Sequence, residues 1–215
     1  MTVIVTGGTV GIGKSTVAEK IAKHLNSEVF FESVDDNPML EKFYADKKRW
    51  AFPIQIYFLN TRFKSIKKAL INRHNVLDRS IYEDALFTRL NYEDGNMSKE
   101  EYDCYLDLLE NMMEELNSLE KKAPDLFVYL RGSFDTVLKR MKMRGRTFEL
   151  SEDDIAYFER LHSRYDDWVF NHYDASDVIV IDMDQYDVHI PEHEALIMQL
   201  IDDKLVEQAN RYVGV

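Results

Sequence analysis

Along the 215 residues of this chain, short runs of consecutive apolar residues alternate with longer stretches of helical spacing. Residues 2–6 (TVIVT) predict a buried strand, because β-branched residues without polar alternation suit a strand covered on both faces. Glycines follow, and helical spacing takes over across 15–25. A second apolar run, 28–31 (EVFF), ends at Glu32, and Asn37-Pro38 then marks the start of a short helix over 39–45. Across 50–73, Phe52, Ile56, Leu59, Phe63, Ile66 and Leu70 recur at helical spacing. Gln55 and Arg62 lie about two turns apart in that helix and so share one face.

The alternation continues downstream. A third strand over 75–77 ends in Asp78-Arg79-Ser80, followed by a helix over 81–90, a Gly95-Asn96 loop and a long amphipathic helix over 98–119. The runs LFVYL (126–130) and VIVI (178–181) predict the fourth and fifth strands, with a helix over 133–143 between them and a last helix from about Pro191. Strands that are continuous apolar runs, each followed by a helix, indicate an α/β fold whose central five-stranded parallel sheet is flanked by helices. No repeat, low-complexity tract or linker interrupts the chain, and its length suits one core, so 1–215 is expected to form a single domain.

Charge and composition narrow the classes of partner. Asp and Glu outnumber Lys and Arg by 39 to 27, a net charge of −12, so the surface as a whole repels nucleic acid and anionic membrane, and a polyanionic substrate must meet a local basic patch. Cys104 is the single cysteine, which excludes an internal disulfide and a structural zinc site and points to a reducing compartment. With no signal-peptide pattern and no apolar stretch long enough to span a bilayer, the protein is expected to be cytoplasmic.

The chemistry begins after the first strand. Gly8-Thr9-Val10-Gly11-Ile12-Gly13-Lys14-Ser15 matches G-x-x-x-x-G-K-[ST], the P-loop, in the strand-loop-helix setting that the motif requires. Its glycines let backbone N–H groups close around phosphate oxygens, Lys14 reaches the β- and γ-phosphates, and Ser15 ligates Mg²⁺, so every residue from Gly8 to Thr16 is expected at the nucleotide. The competing reading is a glycine-rich turn. A P-loop by itself suits a switch, a motor or a kinase. The chain contains neither D-x-x-G nor N-K-x-D, which argues against a GTPase, whereas Arg140, Arg144 and Arg146 around Gly145 suit a lid over about 140–150 that closes on a triphosphate. A solvated basic helix end is the plainer account of those arginines.

Six further positions are candidates for the rest of the site. Glu32 ends a strand where ligands bind in open α/β sheets and can take a proton from a hydroxyl, with Arg79 at the neighbouring strand end to hold it; a solvated surface glutamate is the alternative. Asp78 can hold a water on Mg²⁺ or simply cap a helix. Gln55 offers the paired donor and acceptor that read a nucleobase edge, and Arg62 with Asp84 can read exocyclic groups, against the alternative of a surface amide and an ordinary ion pair. Trp50, Phe52, Phe58 and Phe87 are read as core rather than as stacking platforms.

Together, the P-loop through Thr16, Phe31-Glu32 with Asp36-Asn37-Pro38, the 55–62 segment, Asp78-Arg79-Ser80-Ile81-Tyr82-Glu83-Asp84, and Arg144-Gly145-Arg146 with Glu149 resemble the deoxynucleoside kinase family over nearly the whole chain. Asp35-Asp36-Asn37-Pro38 and Asn111-Met112-Met113-Glu114-Glu115 resemble in particular the bacterial deoxyguanosine and deoxyadenosine kinases. The resemblance implies that Glu32 is the general base for a 5′-hydroxyl supported by Arg79, and that Gln55 contacts the base. It also puts Tyr44 and Glu149 on the sugar 3′-hydroxyl and Arg140, Arg144 and Arg146 in the lid. Arg62 and Asp84 imply a purine deoxynucleoside, with deoxycytidine as a further substrate, phosphorylated by ATP with Mg²⁺.

This sequence departs from the family pattern at Ser33, where many members have proline, at Asp78, where glutamate is common, and at Thr88, where some members place an aromatic against the base. The resemblance further implies a homodimer built from the helices at 50–73 and 98–119, with a heterodimer as the variant. Two other readings share the P-loop: a nucleoside monophosphate kinase, and a nucleotide-sensing module that binds without reacting.

Overall fold

A computed structural model describes residues 3–32, 37–70, 75–117 and 124–213. Its five strands are β1 (Val3–Gly7), β2 (Glu28–Phe30), β3 (Asn75–Asp78), β4 (Leu126–Arg131) and β5 (Asp177–Asp182), hydrogen-bonded in the order β2-β3-β1-β4-β5. Every pairing is parallel, with Val5 beside Leu77 on one flank and Phe127 on the other. β1, β3 and the first five residues of β4 are buried throughout, as continuous apolar runs require of strands covered on both faces. The edge strands differ: β2 and β5 are mostly half-buried, and Val180 of β5 is exposed, because an edge strand has a neighbour on one side only.

The helices among the described residues are α1 (Lys14–His24), α2 (Leu40–Ala45), α3 (Lys47–Ala69), α4 (Asp84–Glu93), α5 (Lys99–Asn117), α6 (Phe134–Arg144), α7 (Glu152–Ser163), α8 (Tyr165–Asn171) and α9 (Pro191–Val213). α3 begins three residues earlier than its apolar spacing predicts, because Asp46 caps it by accepting the Arg49 N–H at 3.2 Å. Pro53 lies inside this helix, where its ring nitrogen has no hydrogen to donate. The segment after Asp78 opens with a 3-10 turn over Ile81–Glu83 rather than an α-helix, and Ser80 caps that turn. Asp78 therefore caps nothing; it is the last residue of β3.

Neither α7 nor α8 was predicted. Ser151 caps α7 and three acidic residues fill its first turn, a legible start signal, but Asp154, Tyr157 and Tyr165 occupy buried positions where an apolar pattern would have announced a helix. Ser33, Asp35 and Asp36, the ends of the helices predicted over 50–73 and 98–119, and Thr2 of the first predicted strand lie outside the described residues.

β1 runs at the centre, and the chain moves to β2 and β3 on one side and to β4 and β5 on the other, so the β1–α1 loop opens at the point where the strand order reverses. Crevices of this kind, outside the carboxyl ends of the strands, are where open α/β sheets bind ligands. Two glycines let the loop pack there. At Gly7 a Cβ would lie 2.1 Å from the Phe127 ring, so the ring occupies the volume a side chain would need; Gly11 has φ +87° and a Cβ on it would meet Met141 of α6 at 2.6 Å. Phe127 is fully buried and also packs on Tyr173 and Trp168. Phe127→Ala is expected to lower stability by about 3–5 kcal/mol, read as a fall in the urea midpoint at unchanged slope.

Candidate active site

A cavity of about 410 Å³ opens at the carboxyl ends of β1, β2 and β3. The loop before α1 contributes Val10, Gly11 and Gly13, and the first turn of α1 contributes Lys14, Ser15 and Thr16. The ends of β2 and β3 contribute Glu32, Asp78 and Arg79, α3 contributes Gln55 and Arg62, and α4 contributes Asp84. Tyr44 of α2 closes one side, and Arg140, Arg144, Arg146 and Glu149 close another. Segments that are far apart in sequence thus place most of the predicted residues around one space.

Its acceptor half is a cluster of buried charges. Glu32 receives Arg79 Nε on Oε2 at 3.1 Å and Arg62 Nη2 on Oε1, and Arg62 also ion-pairs with Asp84. The alternative reading of Glu32 as a solvated surface group is excluded, since its side chain is only 12% exposed. Burial alone would raise its pKa; the positive charges of Arg79, Arg62 and Lys14 outweigh that and hold it at about 2. Arg79 itself has φ +85°, a left-handed backbone that non-glycine residues adopt at a cost. Its N–H donates to the Thr6 carbonyl at 2.9 Å, which fixes that bend between β3 and β1.

Gln55 is buried behind this cluster, and Thr88 fills the space beside it. The Thr88 hydroxyl lies 2.9 Å from the Asp84 carbonyl and 3.3 Å from Gln55 Oε1. Asp84 Oδ2 is buried without a protein hydrogen-bond partner, an acceptor left over at the cavity wall. Phe58 and Phe87 also line the cavity, which corrects their reading as core alone; Phe58 lies under Arg62 and Phe87 under Arg79 at 5.2 and 4.7 Å. Trp50 and Phe52 pack against the core as predicted.

The other half surrounds the P-loop. Lys14 Nζ donates to the Thr9 carbonyl at 2.9 Å, and burial, with Arg79 nearby, lowers its pKa from 10.5 to about 7. Ser15 Oγ donates to Asp78 Oδ2 at 2.5 Å, while Asp78 Oδ1 is buried without a partner. Burial pushes the Asp78 carboxyl up from its usual range. Gly8, Thr9 and Ile12, predicted to touch the nucleotide, do not line the cavity: the Gly8 N–H donates to Glu83, Thr9 is buried, and the Ile12 side chain is fully buried in the core.

On the remaining side, Arg140 donates to the carbonyls of Ile12 and Met183, the latter at 3.3 Å, and so fastens α6 to the loop. Arg144 hydrogen-bonds Glu149, and Arg146 lies 3.5 Å from the same carboxylate. Two of the three predicted lid arginines are thus paired with a carboxylate that the family resemblance assigns to the sugar. Tyr44 packs on Phe148 and Phe158, and burial raises its phenol well above the usual value, which leaves a neutral hydroxyl donor. Tyr157 and Phe158 of α7 line the cavity and were missed with their helix; of the two residues that stand behind Arg79, Glu83 carried no signal beyond its place in a matched segment, and Tyr165 was missed with α8.

The deoxynucleoside kinase family model matches residues 4–207. A deoxyguanosine kinase of Lactobacillus acidophilus is 50% identical over 96% of this chain and 92% of its own length. A deoxyadenosine kinase of the same organism is 42% identical over 97% and 98%. Among solved structures, deoxyadenosine kinase from M. mycoides with bound dATP superposes with a TM-score of 0.79 at 34% identity, over 95% of this chain and 99% of that one. A model match spanning almost the whole chain, together with relatives of this identity and coverage, makes this chain a member of the deoxynucleoside kinase family.

Proposed function

We propose that the chain transfers the γ-phosphoryl group of ATP to the 5′-hydroxyl of a purine deoxynucleoside, with deoxyguanosine preferred. The observation that carries this reading is one cavity in which Lys14 and Ser15 of the P-loop share walls with Glu32, Arg79 and Gln55. The preference for guanine rests on the higher identity to the deoxyguanosine kinase than to the deoxyadenosine kinase; deoxyadenosine is the next candidate and deoxycytidine a further one.

In this reading the base lies against Gln55, Arg62 and Asp84, and the sugar 3′-hydroxyl against Tyr44 and Glu149. Its 5′-hydroxyl donates to Glu32, held in place by Arg79. A carboxylate near pKa 2 is a weak base, so the proton passes to it late, as the new P–O bond makes the hydroxyl acidic; a loose transition state permits that order. Entry of the base draws Arg62 from Glu32, and losing one neighbouring positive charge brings the Glu32 pKa back toward the ordinary carboxylate range. On the donor side, Lys14 leaves the Thr9 carbonyl for the phosphates, and Arg144 and Arg146 exchange Glu149 for the transferring group.

The Ser15–Asp78 pair fits Mg²⁺, because Asp78 Oδ1 has no protein partner and can hold a metal-bound water. Among the described residues no three His, Cys, Asp or Glu side chains form a metal cage, and so this donor set suits an ion that keeps several waters and arrives with the triphosphate. Bound there, Mg²⁺ neutralises charge on the β- and γ-phosphate oxygens. A monophosphate kinase is disfavoured: it needs free cations for an acceptor phosphate, whereas Arg62 and Arg79 are both paired with buried carboxylates. A homodimer through α3 and α5 belongs to the same reading, since Leu108, Leu109, Met112 and Met113 of α5 are only partly buried in one chain; a heterodimer is the variant.

In a panel of the four deoxynucleosides with ATP, monophosphate is expected to form fastest from deoxyguanosine. Preference for thymidine would overturn the purine reading, and binding of ATP with no monophosphate from any of them would favour the sensing module. Glu32→Gln should lower kcat by about a hundredfold or more while nucleoside binding is kept; unchanged turnover removes Glu32 from its role.

Lys14 yields a pH prediction. Because burial lowers its pKa, the unfolded chain binds a proton between pH 7 and 10.5 that the folded chain does not, and the stability of the empty protein gains with pH across that window. Triphosphate restores the charge, so ATP binding near pH 8 should take up close to one proton by calorimetry in buffers of different ionisation enthalpy, and Lys14→Arg should abolish the uptake. Light scattering is expected to give twice the 25.4 kDa chain mass.

A further inference from the structure

We propose that Glu83 is a positioning residue that ties the opening of the phosphate-binding loop to Arg79, and through Arg79 to Glu32. Glu83 does not line the cavity and is fully buried, in the 3-10 turn between β3 and α4. Taking a carboxylate out of water costs several kcal/mol unless donors replace the lost hydration. Here they do: Oε2 accepts the Ser80 N–H at 2.8 Å, and Oε1 accepts the Gly8 N–H at 3.0 Å, the Tyr165 hydroxyl at 3.1 Å and Arg79 Nη1 at 3.3 Å.

The Ser80 bond belongs to the local capping box and would be satisfied by the turn alone. The other three reach beyond it. Gly8 opens the P-loop 75 residues away, and Tyr165 comes from α8, 82 residues away. Arg79 Nη1 also donates to the Tyr165 hydroxyl at 2.9 Å, so Glu83, Arg79 and Tyr165 form a closed triangle. Space has been left for the carboxylate: a Cβ on Gly7 would stand only 3.0 Å from Glu83 Oε2.

The result is a continuous path of hydrogen bonds from the Gly8 amide to Glu83, to Arg79 and on to Glu32. It crosses from the triphosphate half of the cavity to the hydroxyl half. Arg79 has a left-handed backbone, a strained conformation that persists only where surrounding contacts over-determine it, and its guanidinium supplies such contacts to Glu32, Glu83 and Tyr165. Glu83 fixes one end of that guanidinium, leaving Nε for Glu32, and it fixes the loop's first amide from the same oxygen. The separation between the P-loop and Glu32, on which in-line transfer depends, is thereby set from beneath the site.

This inference rests on the phosphoryl-transfer reading, and its binding arm keeps the two distinguishable. Glu83→Gln keeps the shape but removes the charge and turns an amide toward donors. Calorimetry should show ATP affinity falling about tenfold or more, and kcat at saturating substrates about tenfold to a hundredfold, with deoxyguanosine affinity held within about twofold and a cooperative thermal transition retained. A purely structural role would lower the thermal midpoint and weaken both ligands together, and would overturn the proposal; so would unchanged ATP affinity and kcat. Should Glu83→Gln fail to fold, Tyr165→Phe removes one donor of the triangle and is expected to cost about fivefold in kcat at unchanged deoxyguanosine affinity; wild-type kcat in that variant overturns the proposal. If the wild-type protein forms no monophosphate, the functional reading fails, and the ATP-affinity comparison alone decides the role of Glu83.

Discussion

Ionised groups buried at the carboxyl ends of β1, β2 and β3 are the constraint on which the site depends. Glu32, Asp84 and Glu83 on one hand, and Arg62 and Arg79 on the other, are all almost out of reach of water. None can be charged there without the others, because desolvation of a lone carboxylate or guanidinium costs far more than the fold can spare. Each member is consequently held by at least one ion pair, so that the two guanidiniums offset all but one of the three negative charges along this wall.

Such a wall works by exchange of partners. In the proposed reading a neutral nucleoside enters without bringing charge, exchanges the single Arg62–Glu32 contact for contacts to its base, and leaves Arg79 in place. A charged acceptor would have to break the pairs that stabilise the wall. The P-loop half follows the same logic: Lys14 rests on a carbonyl, Ser15 on Asp78, and Arg144 on Glu149, each in a contact that a polyanion can replace with a stronger one. What separates the halves is the fixed part, β1 and β3 joined by the Arg79 backbone and by Glu83, neither of which faces solvent.

Dense aromatic packing supports the far side. Tyr165 packs near Phe87, Tyr129 and Trp168 while its hydroxyl meets Arg79 and Glu83, so α8 delivers a polar tip to the site from an apolar body. α7 does the same with Tyr157, which packs on Phe43 and Phe158 and faces the cavity.

The sequence by itself determined the strands, their parallel pairing and the P-loop, because each depends on local pattern: consecutive β-branched residues, glycines at fixed spacing, helical spacing that follows Lys14. It also placed Gln55 and Arg62 on one face, a consequence of helical period alone. Only the tertiary structure decided which charges neutralise which. That Arg62 spans Glu32 and Asp84, that Arg144 and Arg146 turn to Glu149, and that Glu83 accepts from the Gly8 amide are matters of distance across the fold. The missed helices show the same boundary: α7 and α8 bury aspartate and tyrosine, whose burial is possible only because lysine, arginine and asparagine partners arrive from other elements, Lys47 to Asp154, Asn91 to Tyr157 and Arg79 to Tyr165. Apolar periodicity records what a segment needs from any core, whereas a buried polar group depends on one particular partner, and that partner is set by how the chain folds back on itself.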